Sequence, residues 1–231
     1  MRLVMKFGGV LMGKSENIKH CAKLVADEVE KENQVVAVVS AMSGVTDSLL
    51  EAAEKAVQGD EVGVSEIVAQ LELRHYTTAK ELSEGDADLR SQLTSKIQGL
   101  AQQLRQVLSA VSSLKELTPR SKDLIVSFGE RMAAPLLWAA LRVRGIPSVH
   151  LTGGEAGIIT NSVFGSARPL MEETTKRVQE RLLPLLEKGV VPVVTGFIGE
   201  DPNGVITTLG RGGSDHSATI LAAALDADEV W

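Results

Sequence analysis

The sequence predicts an α/β fold in which helices sandwich an open, mainly parallel sheet. Three observations carry this reading. Short β-rich runs alternate with longer helical patterns along the 231 residues, as in strands joined by crossover helices. Most of those runs are apolar at every position rather than at every second one, the pattern of strands covered on both faces. Glycine and polar residues gather where the runs end, the place where ligands collect in open α/β sheets.

Taken in order, "RLVMKF" reads as the first strand, followed by a helix with Ser15 as its N-cap. "QVVAVVS" is the second strand, turning through "SAMSG" into a helix from about Thr46. Residues 60–117 lack strand signal. There Ile67, Leu71, His75 and Leu82 mark one helix, and Leu89, Leu93, Ile97, Leu100, Leu104, Val107, Val111 and Leu114 form the apolar stripe of a second. With "SEGDAD" as the turn between them, this stretch is a helical hairpin inserted in a single domain spanning residues 1–231. "DLIVSF" reads as a third strand, with a helix starting at Glu130, and "PSVHL", "VVPVVTGF" and "DEVW" supply the remaining strands.

Composition narrows the function. Aromatics are only 3% of residues, so Val, Leu, Ile and Ala must pack the core. A formal charge of -6 and a pI near 5.3 leave no electrostatic footprint for nucleic acid or an anionic membrane. The expected partners are small molecules or proteins. No run approaches the ~20 consecutive apolar residues of a membrane span, and "MRLVMKFGG" does not resemble a cleaved leader, so the expected location is cytoplasmic. Cys21 is the only cysteine and falls on the apolar face of a helix, as a core residue would. The four histidines show no metal-binding spacing, and no metal site is expected in the protein itself.

Two lysines compete for a phosphate near the N-terminus. Gly8, four residues, then Gly13-Lys14-Ser15 satisfies the P-loop pattern and would make Lys14 the phosphate lysine. The alternative uses Lys6 at the strand end and the backbone N–H groups of Gly8 and Gly9. A P-loop enzyme also needs an acidic residue ending an apolar strand to hold Mg²⁺, and no strand run here ends in one. The P-loop match is therefore read as coincidence.

The densest cluster is "TTLGRGGSD", residues 207–215, ahead of the helical run "HSATILAAAL". Its glycines permit close backbone approach, and the following helix start carries partial positive charge. Arg211 completes an anion site. Asp215 has two readings, orienting the Lys6 ammonium or capping the helix, and Glu130 likewise has two, a ligand or a carboxylate stabilised by a helix dipole.

The motifs "MKFGG", "VVSAMSGVTD", "SFGERMAAPLL", "GGEAGIIT", "VTGFIG" and "TTLGRGGSDHSA" resemble, in this order and across essentially the whole chain, the amino acid kinase family and its aspartate kinase branch. The resemblance implies an αβα sandwich and ATP-dependent phosphorylation of the L-aspartate side-chain carboxylate, the first step toward lysine, threonine and methionine. It implies that Lys6 and Asp215 are catalytic, with Asp215 organising Lys6, and that Ser40, Thr46, Glu130 and Arg211 bind aspartate. By the same resemblance Lys6, Gly8, Gly9, Gly212, Gly213 and Ser214 face the phosphates of ATP, with Mg²⁺ carried by the nucleotide. The alternatives are a kinase for another carboxylate or carbamate, or a non-catalytic regulatory subunit of the same fold. Three departures stand out. Val10 and Leu11 replace the family's usual Thr-Ser, His216 replaces an aromatic residue, and the family continues past the position of Trp231 through a "TDV-G" segment to its adenine-binding half. The expectations are a missing C-terminal part, weak or absent activity of the 231-residue chain alone, and a homo-oligomer or assembly with the C-terminal region.

Overall fold

The computed structural model describes all of residues 1–231. Five strands, β1 (Arg2–Phe7), β2 (Gln34–Val39), β3 (Ser148–Leu151), β4 (Val191–Thr195) and β7 (Glu229–Val230), form one sheet in the order β3-β4-β2-β1-β7. Every pair in it is parallel. A separate antiparallel pair, β5 (Ile198–Glu200) with β6 (Ile206–Thr208), follows β4.

The continuous apolarity of the strands has a direct cause in the layers. Leu3, Met5, Phe7, Val35, Ala37, Val39, Val191 and Val193 enter one buried cluster, whereas Val4, Val36, Val38 and Val194 enter another. Neighbouring residues in a strand point to opposite faces, so two cores demand apolar side chains at every position. The first core lies under α1 (Ser15–Glu30), α2 (Val45–Gln58) and α5 (Pro119–Val143); the second lies under α7 (Met171–Glu187) and α8 (Gly213–Leu225), beside the short α6 (Gly153–Ala156).

Helices α3 (Glu61–Leu82) and α4 (Ala87–Leu114) pack on each other and on α2 and α5. Each starts at an aspartate cap: Asp60 accepts from the Gly63 N–H and Asp86 from the Leu89 N–H. The α4 stripe turns one position from the expected register at its end, with Leu108 buried and Leu114 exposed.

Three expectations are corrected. "DLIVSF" is not a strand; it lies inside α5, which runs unbroken from Pro119 to Val143. Thr118 caps α5 by accepting from the Ser121 N–H, and Pro119 occupies its first turn. Ile125, Val126, Ser127 and Phe128 are all buried because α5 lies between the sheet and the α3–α4 hairpin. A helix buried on all sides loses the periodicity that separates it from a buried strand. For the same reason α5 is long and apolar enough to cross a bilayer by length and composition, yet 83% of that apolar window is buried within the fold. Second, Ser15 does not cap α1: Lys14 occupies that position, and the Ser15 hydroxyl donates to Glu81 Oε2 at 2.6 Å. Third, β5 and β6 lie where only a loop was read. Each has three residues, too few to show an alternation, and their turn is held by Asp201, whose Oδ1 accepts from the N–H groups of Asn203 and Val205.

Candidate functional site

After β2 the chain passes into helices on one face of the sheet, and after β4 it passes through β5–β6 to α8 on the other. Adjacent strands whose connections leave on opposite faces open a crevice at their carboxyl ends. Here that crevice is a cleft of about 390 Å³. One wall comes from Lys6 near the end of β1, from Gly9 just after it, and from residues 40–44, Thr46 and Asp47 after β2. The other comes from Phe197 and residues 210–215, with Glu130 of α5 between them.

Glycines set how closely these walls approach. A Cβ on Gly9 would lie 3.0 Å from the Ala41 carbonyl oxygen, and the Ser43 N–H donates to the Gly9 carbonyl, so the two turns after β1 and β2 pack backbone to backbone. Gly129 does the same for α5: a Cβ there would sit 2.8 Å from Ala41 Cβ. Opposite, a Cβ on Gly196 would meet Ser214 Cβ at 2.7 Å. Gly210 and Gly212 take φ of 76° and 71°, a conformation that favours glycine.

Lys6 Nζ bridges the cleft to Asp215 Oδ1 at 2.7 Å. Asp215 lies in the first turn of α8 and does not cap it; Gly212 holds the cap position, without a side-chain bond. Asp215 thus pairs with the lysine and leaves the cap position to Gly212. The N–H groups of Gly8, Gly9, Arg211, Gly212 and Ser214 donate to no backbone carbonyl. With the N-termini of α2 and α8 opening here, the cleft presents partial positive charge from several directions. Arg211 is exposed and forms no ion pair.

Glu130 corrects the expectation of a helix-initiating carboxylate, for it lies midway along α5 and is 4% exposed. Its Oε1 accepts from the Ala41 N–H at 3.0 Å, while Oε2 is buried with no partner. Burial pushes this carboxyl up to about 7. No helix dipole accounts for it, because the dipole's effect is confined to the first turn.

The structure brings Lys6, Gly9, Ser40, Thr46, Glu130, Arg211, Gly212, Gly213, Ser214 and Asp215 to this one cleft. Gly8 is not in its lining but adjoins the lysine, since a Cβ there would sit 3.6 Å from Lys6 Nζ. Lys14 lies outside and is exposed. Not singled out from the sequence as site residues were Ala41, Met42, Ser43, Gly44, Asp47, Phe197 and Gly210. The "SG" turn and the acidic residue one turn into α2 were available signals for Gly44 and Asp47. Nothing local marks Phe197, a non-glycine at φ 67° whose ring would be 2.5 Å from a Cβ on Gly213.

With this geometry established, the chain was compared with known proteins. The sequence model of the amino acid kinase family matches residues 1–231. The chain is 36% identical over 231 residues to aspartokinase 1, chloroplastic, of Arabidopsis thaliana, covering 98% of this chain and 39% of that protein. It is 33% identical over 227 residues to the aspartokinase of Geobacillus stearothermophilus, covering 98% and 40%. Among solved structures, Escherichia coli aspartokinase III in complex with aspartate and ADP superposes with a TM-score of 0.87 at 27% identity, covering 100% of this chain and 48% of that one. The chain thus spans about 40% of the length of the curated relatives it matches.

Proposed function

The chain belongs to the amino acid kinase family, and from that premise we propose that its cleft serves phosphoryl transfer from ATP to the side-chain carboxylate of L-aspartate, giving 4-phospho-L-aspartate. The observation that carries this reading is the Lys6–Asp215 pair, set between two glycine turns in a cleft that also holds Arg211 and Glu130. The relatives named aspartokinase select aspartate among the family's acceptors.

The chemistry asks little of the protein beyond placement. A side-chain carboxylate with a pKa of ~3.9 is already ionised at neutral pH, so the nucleophile needs no general base. What remains is alignment and stabilisation of the charge that spreads over the transferring phosphoryl oxygens. Lys6 donates to those oxygens, and Asp215 holds its ammonium in place. The free N–H groups of Gly8, Gly9, Gly212 and Ser214 serve the ATP phosphates, and Gly213, whose own N–H donates to the Gly210 carbonyl, lets the phosphates approach the turn closely. Arg211 pairs with the α-carboxylate of aspartate, and Ser40 and Thr46 offer hydroxyls. The unpartnered Oε2 of Glu130 suits the α-ammonium, whose positive charge and donors both favour the ionised carboxylate.

No three His, Cys, Asp or Glu side chains converge in a way that could hold a metal ion. Mg²⁺ would therefore enter coordinated mainly by nucleotide phosphates and water, and it would neutralise phosphate charge. A cytoplasmic setting, and assembly as a homo-oligomer or with further C-terminal sequence, belong to the same reading.

Incubated with ATP, Mg²⁺, L-aspartate and hydroxylamine, the protein should form aspartyl hydroxamate, however slowly, and acetylglutamate or carbamate should not replace aspartate. Lys6→Ala should abolish the product, and Lys14→Ala should leave it unchanged. The reverse pattern would restore the P-loop reading and overturn ours. Binding of aspartate or ATP by calorimetry without turnover would favour the non-catalytic reading, which the exposed Val10 and Leu11 beside the Gly8–Gly9 turn support.

A further inference from the structure

We infer that Asp123 is a positioning residue for the transfer proposed above: it fixes the backbone from which the Arg211–Asp215 turn springs, while Glu130 fixes the opposing turn from the same helix. The inference rests on that functional reading for its consequence, and on geometry alone for its cause.

Asp123 is 2% exposed and does not line the cleft. Its Oδ2 accepts from the N–H groups of Gly165 and Thr208, both at 2.9 Å, and its Oδ1 accepts from the Thr208 hydroxyl at 2.9 Å. Thr208 ends β6, three residues before Arg211. Gly165 belongs to the segment against which the turn rests, since a Cβ on Gly210 would lie 3.3 Å from the Gly165 carbonyl oxygen. Asp123 therefore clamps both the stem of the turn and its support.

Seven residues along α5, Glu130 accepts from the Ala41 N–H of the other wall. That separation is about two helical turns, or ~10 Å. One rigid helix thus carries two buried carboxylates on the same side, each holding the backbone of one wall. The spacing between the Ala41 turn and the stem of the Arg211–Asp215 turn is thus held by the helix as well as by the loops. Loops alone would hold it loosely: the turn's own bonds include Gly213 N–H to Gly210 and Leu209 N–H to Phe197.

The test compares Asp123→Ala with Asp123→Asn. The asparagine amide can keep all three bonds, its oxygen accepting both N–H groups and its NH₂ donating to the Thr208 hydroxyl. Two readouts are taken. In limited trypsin digestion, Asp123→Ala should speed cleavage after Arg211 at least tenfold without changing cleavage after the exposed Lys188, and Asp123→Asn should restore the wild-type rate. In the hydroxamate assay, Asp123→Ala should raise the KM for aspartate at least fivefold and Asp123→Asn should bring it back. A merely structural role would lower kcat through loss of active molecules and leave KM alone.

Equal acceleration at both tryptic sites, or none, would overturn the inference. Should Asp123→Ala fail to fold, Thr208→Val removes only the hydroxyl bond and should still give a smaller acceleration confined to Arg211; an unchanged rate there would also overturn it. Selective cleavage after Arg211 in a protein that shows no binding of L-aspartate by calorimetry would uphold the clamp and overturn the kinase reading, so the two failures are distinguishable.

Discussion

Replacing Glu130 by glutamine tests the buried carboxylate without opening a cavity. The two side chains have nearly the same shape, and the amide oxygen can still accept from the Ala41 N–H at the observed 3.0 Å. The charge is what differs. In the folded protein burial raises this carboxyl from its ordinary 4.5 to about 7, so folding favours the protonated form. A raised carboxylate pKa means that the folded state binds more protons than the unfolded one between those two values. Its contribution to stability is favourable at low pH and is lost as pH rises through the folded value. From 4.5 to about 7 the full penalty is about 3 kcal/mol, and most of it, about 2–3 kcal/mol, develops between pH 5 and pH 8. The glutamine NH₂ leaves an unsatisfied donor, but that cost does not vary with pH and drops out of the comparison. Urea unfolding of both proteins at pH 5, 6, 7 and 8 should show Glu130→Gln gaining on the wild type by about 2–3 kcal/mol across the range. A difference that stays constant with pH would mean that Glu130 ionises normally, and the argument for its charge-seeking role in the cleft would fail.

Two further outcomes follow from the same structure. Gly196→Ala would set a Cβ 2.9 Å from Ser214 Cα, a backbone atom that cannot rotate aside; urea unfolding should show a loss of about 1–3 kcal/mol, and aspartyl hydroxamate formation should fall with it because Ser214 lines the cleft. His75 is fully buried in α3, its Nδ1–H donating to the Leu71 carbonyl and its Nε2 without a partner, and burial brings it down to about 4. A depressed histidine must stay neutral in the folded state, so stability is lost as pH falls below its ordinary 6.5 toward about 4. The wild type should weaken relative to His75→Leu by about 2 kcal/mol between pH 7 and pH 5, as read from thermal or urea unfolding; a parallel pH dependence of the two proteins would refute the assignment.

The amino-acid sequence by itself determined the layered α/β plan, because strands buried on both faces must be apolar at neighbouring positions, and Leu3–Met5 of β1, Val35–Val39 of β2 and Val191–Val194 of β4 are. It also singled out the Gly-Gly pairs beside Lys6 and Arg211, and the fold brings Gly9, Gly212 and Gly213 to one cleft. Its reading failed at α5, where burial on every side erases the helical period, and at β5–β6, where three residues per strand carry no alternation. Tertiary structure alone decided where Asp215 and Glu130 lie and what they touch. The first is joined to a lysine 209 positions earlier in the chain, and the second is set by helix packing at Gly129 against Ala41. Such pairings depend on where separate strand ends are brought together across the sheet, and no local preference of the backbone records them.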